Sequence, residues 1–196
     1  MDRKIDKKQL NRLRKNAETL HEKDEAFKKA SDRDFAIWLL IVLVAAFAVR
    51  LFLFEPIRVS GDSMYDTLID GERMFVEKVS YWFERPQRGE IIICYYPNHT
   101  TTCVKRVIGV PGDRIAILGG EIYLNGEKLD ESAYWDDLIW SDMAEITVPE
   151  DCVFVMGDNR NGSSDSRNPL VGPIPYNRVV GRVRSVIWPV ARARTF

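Results

Sequence analysis

The chain has 196 residues, with 28 Lys and Arg, 29 Asp and Glu, and a formal net charge of −1. This length suits one or two compact domains. A nucleic-acid partner would normally require a strong basic surplus, which this composition lacks. There are only two histidines, His21 and His99, and the three cysteines have no C-x2-C spacing. Histidine-rich metal sites and zinc sites are therefore disfavoured.

Residues 35–54, FAIWLLIVLVAAFAVRLFLF, carry a single charge, Arg50. As a helix, this segment would just cross a hydrocarbon core of about 30 Å. An Arg at the centre of a span costs about +2.5 to +3.5 kcal/mol, whereas each Leu, Ile, Phe or Val contributes about −0.3 to −0.6 kcal/mol. Fourteen such residues outweigh Arg50, which also lies near the end of the segment. We expect residues 35–54 to form a transmembrane helix.

The flanking charges predict how this helix is oriented. Residues 1–34 hold eleven Lys and Arg against eight acidic residues. In residues 55–70, Arg58 is the only basic residue. The positive-inside rule places residues 1–34 in the cytoplasm as a basic, weakly amphipathic tail, and residues 55–196 across the membrane. A cleavable signal peptide would have a shorter apolar core and a small-x-small site, but Glu55 and Pro56 follow this span. We therefore interpret it as an anchor.

Residues 55–196 alternate short β-branched and aromatic runs with Gly, Pro and Asn, a pattern typical of strands. The runs favour an all-β domain, either a sandwich or a partly open barrel. Asn125-Gly126 within YLNGEKL predicts a type I′ hairpin turn. Residues 133–149 are ambiguous between a loop and short strands. The predicted strands are RMFVEKV, EIIICYY, CVKRVIGV, DRIAIL, EIYLNGEKL, CVFVMGD and VVGRVRSVIWP.

Cys94 and Cys103 flank a segment, YYPNHTTT, that reads as a hairpin. With residues 97–100 as its loop, the two cysteines lie opposite each other. A cross-strand disulfide would then be geometrically accessible. Two half-buried thiols, packing as small apolar groups, are an equally good interpretation.

VSGDSMYDTL, which follows the apolar segment, contains Ser60 and Ser63. Local composition favours a turn, and a serine becomes a nucleophile only beside a base. His21 is predicted on the other side of the membrane, and His99 at a hairpin tip. A buried lysine can also act as the base for a serine, because burial lowers the pKa of the lysine. Lys105 lies within an apolar strand, with Arg106 predicted on the opposite face.

Four segments together resemble the bacterial type I signal peptidases, in particular the smaller Gram-positive type. SGDSMYDTL resembles the nucleophile box, and RGEIIIC resembles a Gly-Asp strand box. KRVIGVPGD resembles the lysine box, and MGDNRNGSSDSR resembles the final box. The resemblance extends from the apolar segment to Pro189.

The resemblance implies Ser63, which precedes Met64, as nucleophile and Lys105 as general base. It further implies that the Ser163 hydroxyl positions the lysine. The charged residues of the final box would buttress the site: Asp158, Asp165 and Arg167. Gly61 stands where some relatives carry a serine that completes the oxyanion hole, which leaves a second donor near Gly61 or Ser60 open. Asp66 replaces the usual Pro, so the turn loses a fixed φ.

By this resemblance, the chain would cleave signal peptides from exported preproteins at the outer face of the cytoplasmic membrane. Its substrates would carry small side chains at the first and third residues before the cut. The bilayer is a further expected partner, a secretion translocon is left open, and neither metal nor organic cofactor is implied. A processing peptidase with few substrates and an inactive membrane-anchored binding protein are the alternatives.

Overall fold

The structure is a computed structural model that describes residues 7–52, 54–97 and 100–196. The chain divides into two compact units, residues 1–49 and 50–196. The first contains most of a single helix, α1 (Lys7–Phe52), which joins the predicted tail helix and the predicted apolar helix into one element. Within the described residues, no helix combines the length and the apolar character needed to cross a bilayer.

The second unit is built mainly of β-strands, as the sequence predicts. Short 3₁₀ helices occur at Ser80–Trp82, Arg160–Gly162, Tyr176–Arg178 and Val190–Arg192. In chain order the strands are β1 (Phe54–Arg58), β2 (Arg73–Glu77), β3 (Ile91–Tyr95), β4 (Thr102–Gly109), β5 (Arg114–Leu118), β6 (Glu121–Leu124), β7 (Glu127–Lys128), β8 (Met143–Thr147), β9 (Cys152–Met156), β10 (Ile174–Pro175), β11 (Val179–Trp188) and β12 (Arg194–Thr195).

Two sheets result. The larger has the order β1-β2-β11-β3-β4-β9-β10, with β12 also paired to β11, and the smaller has the order β7-β6-β5-β8. All pairings are antiparallel, which suits a domain with one buried face on each sheet. β1 and β10 are the two ends of the larger path, so that sheet is open.

The turns follow the residue chemistry. Asn125 and Gly126 both have positive φ, 57° and 89°, as a type I′ turn between β6 and β7 requires. Cys94 and Cys103 are direct partners in the β3–β4 pairing, as predicted, but both are free thiols. Residues 98 and 99 lie outside the described residues, so the predicted position of His99 is not described.

Apolar side chains from the larger sheet form a core directly beneath the segment that carries Ser63. Met64 and Leu68, which follow the serine, are 1% and 0% exposed and pack into it. The nucleophile-box segment is therefore anchored by its own apolar residues. The core comprises Val59, Met64, Leu68, Met74, Val76, Ile91, Ile93, Val183 and Val186.

Candidate active site

Ser63 and Lys105, 42 residues apart in sequence, meet beside β4 of the larger sheet. Lys105 lies on β4, and its Nζ donates hydrogen bonds to Ser63 Oγ at 2.8 Å and to Val104 O at 2.9 Å. Its side chain points inward and the residue is only 3% exposed. Arg106, the next residue, pairs instead with Asp158, as strand alternation requires.

Burial dominates the electrostatics of Lys105. The loss of hydration disfavours the ammonium form and lowers the pKa of Lys105 below its ordinary value. The neighbouring Cys103, Asp165 and Cys94 oppose this shift but do not reverse it. The aromatic ring of Tyr96 lies 5.9 Å from Lys105 Nζ, and its hydroxyl donates to Ser164 O at 2.6 Å. A lysine in this setting releases its proton more readily than a solvated one.

Ser163 lies near Ser63 because Gly157 separates them without a side chain. A Cβ on Gly157 would lie 2.5 Å from Ser163 Cβ and would also contact Ser163 Oγ and the Ser63 carbonyl oxygen. Ser163 Oγ is buried and has no hydrogen-bond partner among the described residues. The bond from Ser163 to Lys105 that the resemblance implies is therefore not formed in this conformation.

The charged residues of the final box form two buried bidentate ion pairs. Arg167 binds both carboxylate oxygens of Asp165, at 2.7 and 2.8 Å, and Asp165 also accepts from the Gly157 N–H. Arg106 binds both oxygens of Asp158, at 2.8 and 2.7 Å. Fork-to-fork pairs of this kind fix orientation as well as distance. The Arg106–Asp158 pair holds the segment after β9 against β4, and the Arg167–Asp165 pair fixes the conformation within that segment.

Three further contacts hold the nucleophile segment in place. Met64 Sδ accepts from the Asp158 N–H at 3.5 Å, and the Asn159 N–H donates to Ser63 O at 3.1 Å. Gly61, with a φ of 88°, donates its own N–H to Asp70 Oδ1 at 2.9 Å. The Gly61 amide is thus occupied and does not supply a second oxyanion donor here. Among the described residues, the Ser63 N–H has no acceptor.

The strand edges beside the dyad lack partners. β9 pairs with β4 only over residues 106–109, so residues 102–105 have a strand partner on one side alone within the described chain. β1 likewise pairs only with β2. Unpaired edges present free backbone donors and acceptors, to which an extended peptide can add as a strand.

Several of these residues were not singled out from the sequence. Gly157, Asn159 and Arg106 lie inside the quoted boxes, so their position in the motif was an available signal. Asp70, Glu72 and Arg194 contact the nucleophile segment from outside the boxes, and no local pattern marks them. The predicted second donor at Ser60 is an exposed side chain without a hydrogen bond among the described residues.

Comparison with known proteins shows the family of the chain. Residues 32–188 match the family described as "Signal peptidase, peptidase S26". The chain is 39% identical over 179 residues to "Signal peptidase I P" of Bacillus subtilis subsp. natto, covering 87% of this chain and 96% of that protein. It is 38% identical over 165 residues to "Signal peptidase I T" of Bacillus subtilis strain 168, covering 80% and 85% respectively.

A crystal structure of a signal peptidase I from Enterococcus faecalis V583 is 32% identical, covers 50% of this chain and 97% of that chain, and has a TM-score of 0.44. The sequence matches span most of both partners. The chain therefore belongs to the bacterial type I signal peptidases of the S26 family, and it is a peptidase.

Proposed function

We propose that this chain is a membrane-anchored serine endopeptidase that cleaves signal peptides with a Ser63–Lys105 dyad. The observation that carries the proposal is the buried Lys105 Nζ, 2.8 Å from Ser63 Oγ. This is hydrogen-bonding distance for a nucleophile and its base. Burial lowers the lysine pKa, which makes the neutral, proton-accepting form more accessible.

The reaction proceeds in two steps. Neutral Lys105 accepts the Ser63 proton as Oγ attacks the carbonyl carbon before the scissile bond. The peptide C–N bond then breaks, the leaving amine takes the proton from Lys105, and an ester to Ser63 remains. Lys105 next accepts a proton from water, whose oxygen attacks the ester carbon. The bond from that carbon to Ser63 Oγ breaks, Oγ takes the proton back from Lys105, and the signal peptide leaves with a new C-terminal carboxylate.

The neighbouring groups have distinct parts in this proposal. The Ser63 N–H, which lacks an acceptor, stabilises the oxyanion that forms at the attacked carbonyl. A buried hydroxyl without a partner is costly, so we expect Ser163 Oγ to bond to Lys105 in the reacting complex. Asp158, Asp165 and Arg167 hold the segments that carry these groups, and Met64 and Gly61 shape the turn that presents Ser63.

The substrate lies as an extended strand along the unpaired edges near residues 57–62 and 102–105. Main-chain hydrogen bonds would fix its register. The family resemblance is our basis for proposing that the substrate has small side chains at the first and third positions before the cut.

We further propose that residues 35–54 anchor the chain in the cytoplasmic membrane, with residues 1–34 inside the cell and residues 55–196 outside. The support is the apolar composition of this segment and the basic tail before it. Trp82, Phe83 and Trp188 are 60%, 83% and 56% exposed, and aromatic side chains of this type are common at membrane interfaces. An anchor would confine enzyme and preprotein to the same surface.

The test is cleavage of a purified preprotein in detergent micelles by the full chain and by Ser63→Ala and Lys105→Ala variants. Loss of the dyad should reduce the rate by at least about 10³-fold, the scale seen when a nucleophile or its base is removed. Lys128→Ala, at an exposed position outside the site, is the matched control. Full activity in either dyad variant would refute the dyad, and an inactive wild type would favour the binding-protein alternative.

A further inference from the structure

The last residues of the chain contact the loop that carries the nucleophile. Arg194 lies on β12, which pairs with β11 opposite Val186. Its guanidinium binds both carboxylate oxygens of Glu72, at 2.9 and 2.7 Å, and also donates to Thr67 O at 2.5 Å. The Arg194 side chain thus binds residues 67 and 72 at the same time.

Glu72 is the buried centre of this contact. It is 1% exposed, and its Oε2 also accepts from the Ile69 N–H at 3.1 Å. Burial alone would raise the pKa of the Glu72 carboxyl, but the bonds from Arg194 and Ile69 outweigh burial, so the pKa is lowered. A buried carboxylate that loses its cation is strongly unfavourable, so the loop must move if Arg194 is removed.

Residues 67–72 are in turn bound to both sides of Ser63. Before the serine, the Gly61 N–H donates to Asp70 Oδ1 at 2.9 Å, and the Val59 N–H donates to Glu72 O at 2.8 Å. After it, the Leu68 N–H donates to Met64 O at 2.7 Å. A displacement of residues 67–72 is therefore transmitted to Ser63 from two directions.

We infer that Arg194 is a positioning residue, which holds Ser63 at the correct distance from Lys105 through Glu72, Thr67 and Asp70. The inference rests on the proposed Ser63–Lys105 dyad. Arg194 lies beyond residues 32–188, the part of the chain that matches the signal peptidase family, so the family match does not assign it this role.

The geometry explains why arginine is needed. A planar guanidinium can bind two carboxylate oxygens and a carbonyl at once in fixed directions, whereas a lysine ammonium is a compact charge without this fork. A nucleophile misplaced by about 1 Å can lose on the order of 10²-fold in rate. Residues 67–72 also hold Val59 and Gly61 of the proposed substrate edge, so KM should rise somewhat. Only kcat depends on the distance from Ser63 to Lys105, so the larger loss should fall on kcat.

The test measures kcat, KM and thermal unfolding of the full chain in detergent micelles with a preprotein substrate, well below the unfolding temperature of each variant. Arg194→Gln should lower kcat by about 10-fold to 10²-fold and raise KM by a smaller factor. Arg194→Lys should give an intermediate kcat. Arg178→Gln, the matched control, removes an equal charge from an exposed side chain that makes no hydrogen bond to the described residues, and should match wild type.

A double-mutant cycle tests whether Arg194 acts on Ser63 through Asp70. Asp70→Asn weakens the link to Gly61, so the combined Arg194→Gln and Asp70→Asn variant should lose less activity than the product of the two single losses. A folded Arg194→Gln with wild-type kcat, a loss confined to KM, or a loss equalled by Arg178→Gln would overturn the inference.

If Arg194→Gln does not fold, Arg194→Lys takes its place. A lowered kcat of Arg194→Lys then supports the inference, and a wild-type kcat overturns it. Failure of the dyad itself would appear separately, as cleavage by Ser63→Ala or as an inactive wild type.

Discussion

At the scale of single residues, Gly157 determines how closely Ser63 and Ser163 approach. Its missing side chain leaves room for the Ser63 carbonyl oxygen on one side and for Ser163 on the other. Neither neighbour is the flexible end of a long side chain, so an added methyl group must push one of the two segments away. A displaced Ser63 would lose its 2.8 Å hydrogen bond from Lys105.

We expect Gly157→Ala to lower kcat by on the order of 10²-fold, because it displaces the reacting groups, and to destabilise the fold by about 1–3 kcal/mol, as overpacking does. Gly109→Ala is the control, since its Cβ would press on Ile115 and Val148 in a separate core. Preprotein cleavage and thermal unfolding would be measured on both. Equal kcat losses in the two variants would contradict a specific role for Gly157.

The dyad residues could be identified from the sequence because they lie within recognisable boxes, but their supports could not. Asp70 and Arg194 reach the nucleophile segment through contacts 9 and 127 residues apart in sequence, with Gly61 and Thr67 respectively. Such contacts depend on the path of the chain, and isolated acidic or basic residues carry no pattern that reveals them. The sequence also did not reveal the partner of the Gly61 amide. A second oxyanion donor was expected near Gly61, but its N–H is bound to Asp70.

At the scale of elements, the strands with strong β-branched runs were predictable and the others were not. β1 contains Pro56, which weakens a strand prediction, yet an edge strand tolerates proline because one side needs no donor. β8 lies in an acid-rich stretch that was ambiguous, and β10 and β12 are only two residues long. Pairing with neighbours, more than local propensity, determines these strands.

The apolar residues 35–54 of α1 lead to the prediction that the chain is anchored in the membrane. The full chain, expressed in bacteria, should remain in the membrane pellet after alkaline carbonate extraction. Replacing Leu40 and Leu43 with Arg should release it, because each Arg costs about +2.5 to +3.5 kcal/mol at the centre of a span. Leu20→Arg, in the exposed tail helix, should stay in the pellet. Extraction of the unmodified chain into the supernatant would disprove the anchor.

At the scale of the whole molecule, the site joins parts of the chain that lie far apart in sequence. The larger sheet supplies Lys105 from β4, a loop between β1 and β2 supplies Ser63, and the segment after β9 supplies Ser163. The Arg106–Asp158 ion pair connects β4 to the segment after β9, and the Asn159 N–H donates to Ser63 O, which connects that segment to the β1–β2 loop. The fold class followed from the strand pattern, but this convergence depends on strand order, which the sequence pattern did not predict.

The central claim is that neutral Lys105 acts as the base for Ser63, and the pH dependence of kcat tests it most directly. Burial lowers the Lys105 pKa, so the active neutral form should be lost as pH falls through that lowered value and restored above it. Wild-type kcat on one preprotein should therefore rise with pH to a plateau, with a midpoint below 10.5. The small residual rate of Lys105→Ala should lack this step. A Lys105→Ala variant that keeps the wild-type rate and the same pH step would contradict the account.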